Sequence, residues 1–317
     1  MVALVGDIGG TNARFALVEA DGKIHSVVPL VCRNHVSLVE ACEAYIRQVA
    51  PDRPPRRGAL AVASPILGDE IQLTNLKHWS FSIEQTRSRL GLEKLDVVND
   101  FVANAMAIPR LAPDDVLKIG RGEPVPHAPI WALGPGTGLG AAALVWTGHS
   151  WMPLSSEGGH MTIAAANDRE AEILAFIRNR YSHVSAERVV SGMGLVDLYA
   201  AVAATSGKTP EPGFTPADIT DRGLDRSCPI CVETIEVFAS MLGTVASDLA
   251  MVLNARGGIY IAGGIVPRLM PWFTNSDFRT RFEHKGRFSA FLAKVPTYII
   301  LRPLPALAGL AELVKVD

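Results

Sequence analysis

The amino-acid sequence predicts an α/β protein that is divided into two domains. Strand-like segments alternate with helix-like segments along its 317 residues, a pattern typical of sheets with helices packed against them. A chain of this length, 48% hydrophobic and 20% charged, is long enough to form two hydrophobic cores. Residues 112–128 are rich in Pro, Gly, Asp and Lys and have no strong periodicity, so we expect a domain boundary there.

The first domain is predicted to open with a β-hairpin. The stretch LVGDIGGTNARFALV, residues 4–18, has strand-forming residues on both sides of Gly9 and Gly10, and this pair permits a tight turn with positive φ. Asp7 lies among apolar residues just before the turn, where an unpaired charge is costly. A purely structural turn does not require this acid, so we expect Asp7 to serve a ligand.

Strands and helices alternate through the rest of the first domain. The predicted elements are, in order, a strand in KIHSVVPL, a helix opened by a capping box Ser37-x-x-Glu40, a strand in ALAVASP, a short helix from Ser82 to Gly91, and a strand LDVVND that leads into the helix FVANAMA. Asp100 stands where this last strand meets its helix. That position is also typical of a helix N-cap.

The second domain is predicted to repeat the plan of the first. The stretch PIWALGPGTGLGAAALVW, residues 129–146, is again a strand, a glycine-rich turn and a strand, and a third strand candidate follows in SWMPLS. Helices are then expected in DREAEILAFIRNRY, in GLVDLYAAVAATSG and in a long segment ending near Asn254, before a buried strand that ends at Gly263 and Gly264. Backbone N–H groups at two such glycine turns are suited to hold a polyphosphate.

Composition and charge argue against several classes of protein. The formal net charge of −2 comes from scattered Lys, Arg, Asp and Glu, so there is no basic stripe for nucleic acid. We find no apolar stretch of about 18 residues and therefore predict no membrane span. The first residues lack a basic segment and carry Asp7, which argues against a secretory signal and favours the cytoplasm.

The four cysteines are too few for a disulfide framework in a chain of this size and are expected to be reduced. Cys228 and Cys231, in CPIC, have a spacing found in zinc and redox sites, but no second metal-binding pair and no thioredoxin-like unit accompany them. The long helical pattern that follows favours a helix entrance with small buried thiols.

Two other nucleotide-binding motifs compete for the glycine-rich turns. The sequence contains no G-x-x-x-x-G-K-[ST], which argues against a P-loop. Residues 136–141 satisfy a loose G-x-G-x-x-A, and Glu157 lies at a distance suitable for the ribose-binding acid of a dinucleotide site. A dinucleotide loop must open a helix, whereas AAALVW reads as a strand, so this interpretation is disfavoured.

Six motifs occur in order along the chain: GDIGGT (6–11), VVNDFVANAMA (97–107), LGPGTGLG (133–140), SSEGGH (155–160), SAERVVSG (185–192) and IAGGIVP (261–267). This ordered set resembles the ATP-dependent bacterial glucokinases of the hexokinase, actin and Hsp70 superfamily. The resemblance implies two ribonuclease-H-like (actin-like ATPase) domains flanking a cleft, a smaller one of residues 1–110 plus 299–317 and a larger one of residues 111–298. The zinc-binding cysteines and the DNA-binding helices of the related repressor and kinase group are missing, which indicates the non-repressor, zinc-free group.

The resemblance also implies a site for ATP and Mg²⁺. Backbone donors and a metal ion are what phosphoryl transfer requires, and Asp7 is expected to reach Mg²⁺ directly or through water. The residues matched to nucleotide binding are Gly6, Asp7, Ile8, Gly9, Gly10, Thr11, Gly136, Thr137, Gly138, Gly263 and Gly264. The last two glycines are expected to lie against adenine and ribose.

Asp100 matches the residue that, in the family, accepts the proton of the sugar 6-hydroxyl. Five residues match the family's sugar-binding positions: Asn99, Asp100, Glu157, His160 and Glu187. Carboxylates, an amide and an imidazole suit a polyol, because they accept from and donate to neighbouring hydroxyl groups. A site that satisfies several hydroxyls rejects sugars that lack one, so we expect D-glucose to be preferred over its deoxy and epimeric analogues.

The implied activity is therefore that of a glycolytic transferase, in which ATP phosphorylates D-glucose at its 6-hydroxyl. The resemblance further implies a homodimer. A kinase for another hexose, an acyl-phosphate kinase and a non-catalytic sugar or nucleotide sensor of the same superfamily remain alternatives. A chaperone or filament protein of the superfamily is disfavoured, because the sequence carries the sugar-site residues and no additional substrate-binding domain.

Overall fold

The computed structural model describes residues 2–73 and 76–315, except for the side chain of Lys77. The chain divides into two compact units, Met1–Ala112 with Arg302–Asp317 and Pro113–Leu301. Five residues that the sequence analysis assigned to the first domain, 1, 74, 75, 316 and 317, lie outside the described residues.

The strands alternate with the helices in chain order. The strands are β1 (Val2–Ile8), β2 (Asn12–Glu19), β3 (Ile24–Val31), β4 (Arg57–Val62), β5 (Glu70–Ile71), β6 (Phe81–Ser82), β7 (Lys94–Asn99), β8 (Val116–Ile119), β9 (Ile130–Pro135), β10 (Leu139–Trp146), β11 (Trp151–Ser156), β12 (Gly258–Ile261) and β13 (Thr297–Ile300).

The described α-helices include the predicted helical segments. They are α1 (Leu38–Val49), α2 (Ile83–Arg89), α3 (Asp100–Ala107), α4 (Asp168–Arg178), α5 (Gly192–Thr205), α6 (Pro216–Leu224), α7 (Pro229–Val252), α8 (Ile265–Arg268), α9 (Phe278–Glu283), α10 (Ser289–Leu292) and α11 (Pro305–Leu313). Six of them, α1, α2, α3, α4, α5 and α7, agree with the predicted segments, and the others were not predicted. The mixed α/β class that the sequence predicts is thus confirmed.

The main sheet of the first unit has the strand order β3-β2-β1-β4-β7. β1 pairs antiparallel with β2 and parallel with β4, and β4 pairs parallel with β7. The register places Ile8, Val62 and Asn99 in one row at the carboxyl ends of these parallel strands. With strands spaced about 4.8 Å apart, Ile8 and Asn99 lie roughly 10 Å apart at one edge of the sheet.

The sheet of the second unit repeats this arrangement. Its strand order is β11-β10-β9-β12-β13-β8, in which β9 pairs antiparallel with β10 and parallel with β12, just as β1 pairs with β2 and β4. β8 adds one antiparallel strand at the edge, against β13. The predicted internal repeat is therefore confirmed, strand for strand.

Packing on both faces of the first sheet fixes α3, the helix that begins at Asp100. One face is covered by a cluster that includes Phe15, Tyr45 and Trp79, and the other by α3 and α11. Gly309 in α11 has no room for a Cβ, because the carbonyl oxygen of Ala103 in α3 lies against it. This close approach holds the two helices together and so fixes where α3 starts.

Helix α7 corrects the expectation that no apolar segment is long enough to span a membrane. Within the described residues it is the one helix with a suitable length and composition, 24 residues, and 67% of its most apolar window is buried. Phe238 and Leu242 belong to the core of the second unit, and Thr234 donates to the carbonyl of Ile230 at 2.7 Å. α7 is therefore a core helix whose hydroxyl groups bond within the helix itself.

Two local predictions in the first unit also change. Neither Gly9 nor Gly10 has a positive φ, so conformational strain is not why glycine stands at this turn. Ser37 accepts from the Glu40 N–H at 3.2 Å, but the Glu40 carboxylate is paired with His35 at 2.6 Å, so the predicted reciprocal capping contact is replaced.

The predicted boundary at residue 299 would divide β13. This strand is paired on both sides inside the second sheet, with β12 and with β8, and the second unit accordingly runs to Leu301. A boundary within a central strand would break its ladder hydrogen bonds, which is why the chain leaves the second unit only after β13 has ended.

Candidate active site

The first glycine turn, Gly9–Thr11, joins β1 to β2. The Gly9 N–H donates to the carbonyl of Asn12 at 3.1 Å, which closes the turn. The N–H groups of Gly10 and Thr11 have no acceptor among the described residues, and both residues are exposed. Two free backbone donors at a tight turn form a suitable binding site for phosphate oxygens.

Cys32 supports this first turn through two hydrogen bonds. Its backbone N–H donates to the carbonyl of Thr11 at 2.9 Å, and its thiol donates to the carbonyl of Gly9 at 3.6 Å. The side chain is 1% exposed, and burial raises the pKa of the thiol above its ordinary value. The thiol therefore remains neutral and acts as a donor to the turn.

Asp7 and Arg14 face each other across the hairpin. They are paired in the register of β1 and β2, and the Asp7 Oδ2 to Arg14 Nη1 distance is 3.9 Å. Burial raises the pKa of Asp7, and the Arg14 guanidinium opposes that rise. Asp7 is thus a carboxylate held in a poorly hydrated place with one weakly placed partner, where a cation would be stabilised.

Asn99 and Asp100 follow β7 at the edge that also carries the first turn. Asn99, and not Asp100, is the N-cap of α3: its side-chain oxygen accepts from the Phe101 N–H at 2.9 Å, while its amide donates to the carbonyl of Ser64 at 3.4 Å. Asp100 is therefore the first residue of α3 and not its N-cap. One oxygen of its half-buried carboxylate nevertheless accepts from the same Phe101 N–H at 3.0 Å.

The second glycine turn, Gly136–Gly138, joins β9 to β10. The Gly136 N–H donates to the carbonyl of Gly138 at 2.8 Å, and the Gly136 carbonyl accepts from the Gly192 N–H at 2.7 Å. The N–H groups of Thr137 and Gly138 have no acceptor in the part of the chain that the structure describes. This turn therefore offers the same pair of free donors as the first turn.

Two segments that carry predicted sugar-site residues of the second unit contact Leu139, the residue after the second turn. Glu187 accepts from the Leu139 N–H at 2.9 Å, and Gly159 lies so close to the Leu139 carbonyl that a Cβ would collide with it. Glu157 and His160 flank this glycine contact, 3.9 Å apart at their closest side-chain atoms, and both are exposed.

Gly263 and Gly264 lie beside the second turn and differ from each other. Gly263 has a φ of +86° and no room for a Cβ, because the carbonyl of Pro135 lies against it. At Gly264 a Cβ would meet no described heavy atom within 4 Å. Gly263 is thus required by the fold, whereas the open space at Gly264 is available for a ligand.

A magnesium ion fits the Asp7 carboxylate. The described residues contain no group of three or more His, Cys, Asp or Glu side chains arranged to hold a metal, which argues against a cation bound wholly by protein. Mg²⁺ is usually held by one or two carboxylates together with water and substrate phosphates. Asp7, poorly hydrated and next to the first turn, meets that requirement.

The structure groups the predicted residues in two sets, one in each unit. The first set comprises Asp7, the first turn, Asn99 and Asp100, and the second comprises the second turn, Glu157, His160, Glu187, Gly263 and Gly264. Sequence reasoning missed Arg14 and Cys32. Counting outward from the hairpin turn would have placed Arg14 opposite Asp7, but Cys32 carries no comparable signal.

A comparison with known protein families identifies one family over nearly the whole chain. The profile described as Glucokinase matches residues 4–316. Among curated proteins, the glucokinase of Paramagnetospirillum magneticum is 52% identical over 315 residues, which cover 99% of this chain and 97% of that protein. The glucokinase of Nitrobacter hamburgensis is 49% identical, covering 98% and 96%.

Solved structures agree with this result. The crystal structure of glucokinase from an Antarctic psychrotroph has a TM-score of 0.89 and 38% sequence identity, and the match covers 99% of this chain and 98% of that chain. The similarity therefore extends over both units and is not restricted to the glycine turns that many nucleotide-binding proteins share.

Proposed function

The chain belongs to the glucokinase family, and from that premise we propose that it transfers the γ-phosphoryl group of ATP to the 6-hydroxyl of D-glucose, giving glucose 6-phosphate and ADP. One observation carries the proposal. At a single edge of the first sheet, a carboxylate, Asp100, follows β7 in the same row of strand ends from which the first turn begins. Phosphoryl transfer requires this combination of a proton acceptor and phosphate donors.

Asp100 is proposed as the general base. Its carboxylate accepts the proton of the 6-hydroxyl while that oxygen attacks the γ-phosphorus, and the bond to the departing ADP oxygen breaks. Asn99 is the N-cap of α3, and one Asp100 oxygen also accepts from the Phe101 N–H, which holds the carboxylate at the start of the helix. Asn99 and Asp100 are also proposed to hydrogen-bond the sugar hydroxyls.

The free amides of both turns are proposed to bind the phosphates of ATP. The donors are those of Gly10, Thr11, Thr137 and Gly138, supported by the surrounding residues Gly6, Asp7, Ile8, Gly9 and Gly136. Such fixed dipoles stabilise the charge that develops on the transferred group. Gly264, with open space above it, and its neighbour Gly263 are proposed to lie against adenine and ribose.

Asp7 is proposed to hold Mg²⁺. When bound, the ion neutralises charge on the phosphate oxygens. The chain's own contribution is to keep this carboxylate poorly hydrated. Because few water molecules stabilise its charge, binding of a cation is favoured. Arg14, whose guanidinium lies 3.9 Å away, partly compensates the carboxylate while no cation is present.

Specificity for glucose is proposed to come from Glu157, His160 and Glu187 together with Asn99 and Asp100. An epimer such as D-mannose redirects one hydroxyl group, so a polar group that pairs with it in the glucose complex is left unpaired, which costs binding energy. We therefore propose a higher kcat/KM for D-glucose than for D-mannose. Equal values for the two sugars would instead indicate a general hexose kinase.

The two units are proposed to be ribonuclease-H-like domains of the actin-like type, and the chain to belong to the zinc-free, non-repressor group of that superfamily. The shared strand order of the two sheets supports this assignment. A homodimer is proposed from the same resemblance. A cytoplasmic location and the lack of nucleic-acid and membrane partners are proposed from the composition and charge of the sequence.

The first experiment is to follow ADP release by the purified protein with Mg²⁺ and ATP, with and without D-glucose. Glucose-dependent release is expected. If ADP is released equally without sugar, or if none is released, the chain is a nucleotide switch or acts on another acceptor, and the sugar-site assignments are wrong.

A further inference from the structure

The Glu187 carboxylate is hydrogen-bonded to Leu139, the residue that follows the second turn. Its Oε2 accepts from the Leu139 N–H at 2.9 Å, and the same oxygen occupies the space that a Cβ on Gly138 would need. Leu139 is 4% exposed, so water does not readily replace this acceptor. A buried N–H that loses its partner is costly.

The segment that carries Glu187 forms a second hydrogen bond to the turn. The Gly192 N–H donates to the Gly136 carbonyl at 2.7 Å. Between these two contacts, the hydroxyl of Ser191 donates to the Glu187 carbonyl at 2.7 Å and accepts from the Gly194 N–H at 2.9 Å, and this side chain is fully buried. Segment 187–194 thus contacts both ends of the second turn, through Glu187 at Leu139 and through Gly192 at Gly136.

We infer that Glu187 is a positioning residue for the nucleotide as well as a sugar ligand. One carboxylate oxygen fixes the turn through Leu139, and the other is available to the sugar. This inference rests on the proposed function, which supplies the roles of the turn and of the sugar site. It adds that loss of Glu187 weakens nucleotide binding even when no sugar is present.

Glu157 provides a matched control on the same unit. It is a carboxylate with the same proposed sugar-binding role, its side chain is 56% exposed, and its described ion-pair partner is His160. It makes no hydrogen bond to the second turn in the described residues. Both glutamates should therefore affect glucose, but only Glu187 should affect the nucleotide.

The decisive experiment measures the dissociation constant of Mg·ADP by calorimetry without glucose for four proteins. Glu187→Ala is expected to raise the constant about five- to tenfold, because a hydrogen bond to a charged group is lost. Glu157→Ala should remain within about twofold of the wild type. Glu187→Gln should also remain near wild type for Mg·ADP while raising the KM for glucose, because its amide oxygen still accepts from Leu139.

Amide hydrogen exchange gives a second measurement that does not depend on nucleotide affinity. Residues 137–140 should exchange faster in Glu187→Ala than in Glu157→Ala. If Glu187→Ala does not fold, Glu187→Asp serves in its place, because the shorter side chain cannot reach the Leu139 N–H.

The outcomes separate this inference from the proposed function. If the wild type shows no glucose-dependent ADP release, the proposed function fails. If the wild type is active but Glu187→Ala matches Glu157→Ala in Mg·ADP binding and in exchange, the turn is held without Glu187 and the inference is overturned.

Discussion

The first and second turns occupy equivalent places in their two sheets, yet different chemical groups hold them. Cys32, a neutral thiol with its backbone N–H, holds the first turn. The second turn is held by the Glu187 carboxylate and the Gly192 N–H. Both turns expose a pair of backbone donors that have no acceptor among the described residues.

The comparison shows that a repeated fold conserves the geometry of a turn without conserving what supports it. Cys32 comes directly after β3, the strand beside β2, so the support of the first turn is part of its own sheet. Glu187 comes from a 3₁₀ turn, Ala186–Arg188, that also belongs to the proposed sugar site. Among the described contacts, the second turn is therefore the one linked to a residue with a proposed substrate-binding role.

The largest effect is expected for Asp100→Asn, which removes the proposed base and leaves both turns intact. We expect kcat to fall about 10²- to 10⁴-fold, the range typical of general-base catalysis. Mg·ADP binding should be unchanged, since the substitution leaves the backbone N–H donors of both turns in place. A kcat within a few-fold of the wild type would assign the proton acceptor to another group.

Asp7→Asn tests the proposed metal-binding role of the carboxylate next to the first turn. We expect kcat/KM with Mg·ATP to fall by about 10- to 100-fold, because the carboxylate that Mg²⁺ prefers is lost. The ligand-free variant should nevertheless melt higher at pH 7, by on the order of 1–3 °C. The physical reason is that burial raises the pKa of Asp7 above its ordinary value of 3.8.

The sign of this stability effect follows from proton linkage. A carboxyl whose pKa is raised by folding binds more protons in the folded state, so stability is highest below pH 3.8 and falls as pH rises through the raised pKa. At pH 7 the ionised Asp7 therefore costs stability that Asn does not. Thermal melts at pH 7 and below pH 4 check this, and an advantage of Asn that grows at low pH would contradict it.

Gly138→Ala and Gly136→Ala compare two positions within the second turn. A Cβ on Gly138 collides with the Glu187 carboxylate, whereas one on Gly136 meets no described heavy atom within 4 Å. We expect Gly138→Ala to lower the melting temperature by about 2–6 °C, because displacing that contact costs on the order of 1–2 kcal/mol. Gly136→Ala should change it by less than about 1 °C, and equal shifts would mean that the carboxylate relaxes freely.

The smallest effect is expected for Cys32→Ala, with Cys42→Ala as its control. Both thiols are buried, but Cys42 belongs to α1 and packs in the core of the first unit. Cys32→Ala should raise the KM for ATP about two- to threefold, because one weak donor to the turn is lost and the backbone bond remains. Cys42→Ala should leave that KM unchanged while lowering the melting temperature similarly.

Much of the fold was predictable from local patterns. Glycine turns between apolar strands predicted both hairpins, and the caps Ser37 and Ser82 correctly placed the starts of α1 and α2. AAALVW was correctly assigned to a strand, β10. Local patterns were sufficient here because strand periodicity, turns and caps depend on neighbouring residues.

Long-range pairing decided the rest. The sequence by itself determined which residue types stand at the two turns and at the ends of the strands, because hydrogen-bonding and backbone preferences are properties of short segments. The tertiary structure decided that β13 stays in the second sheet, that Asn99 rather than Asp100 caps α3, and that Cys32 and Glu187 support the turns. The Cys32 contact to Gly9 and the Glu187 contact to Leu139 join residues 23 and 48 positions apart, and only packing of the whole chain brings such residues together.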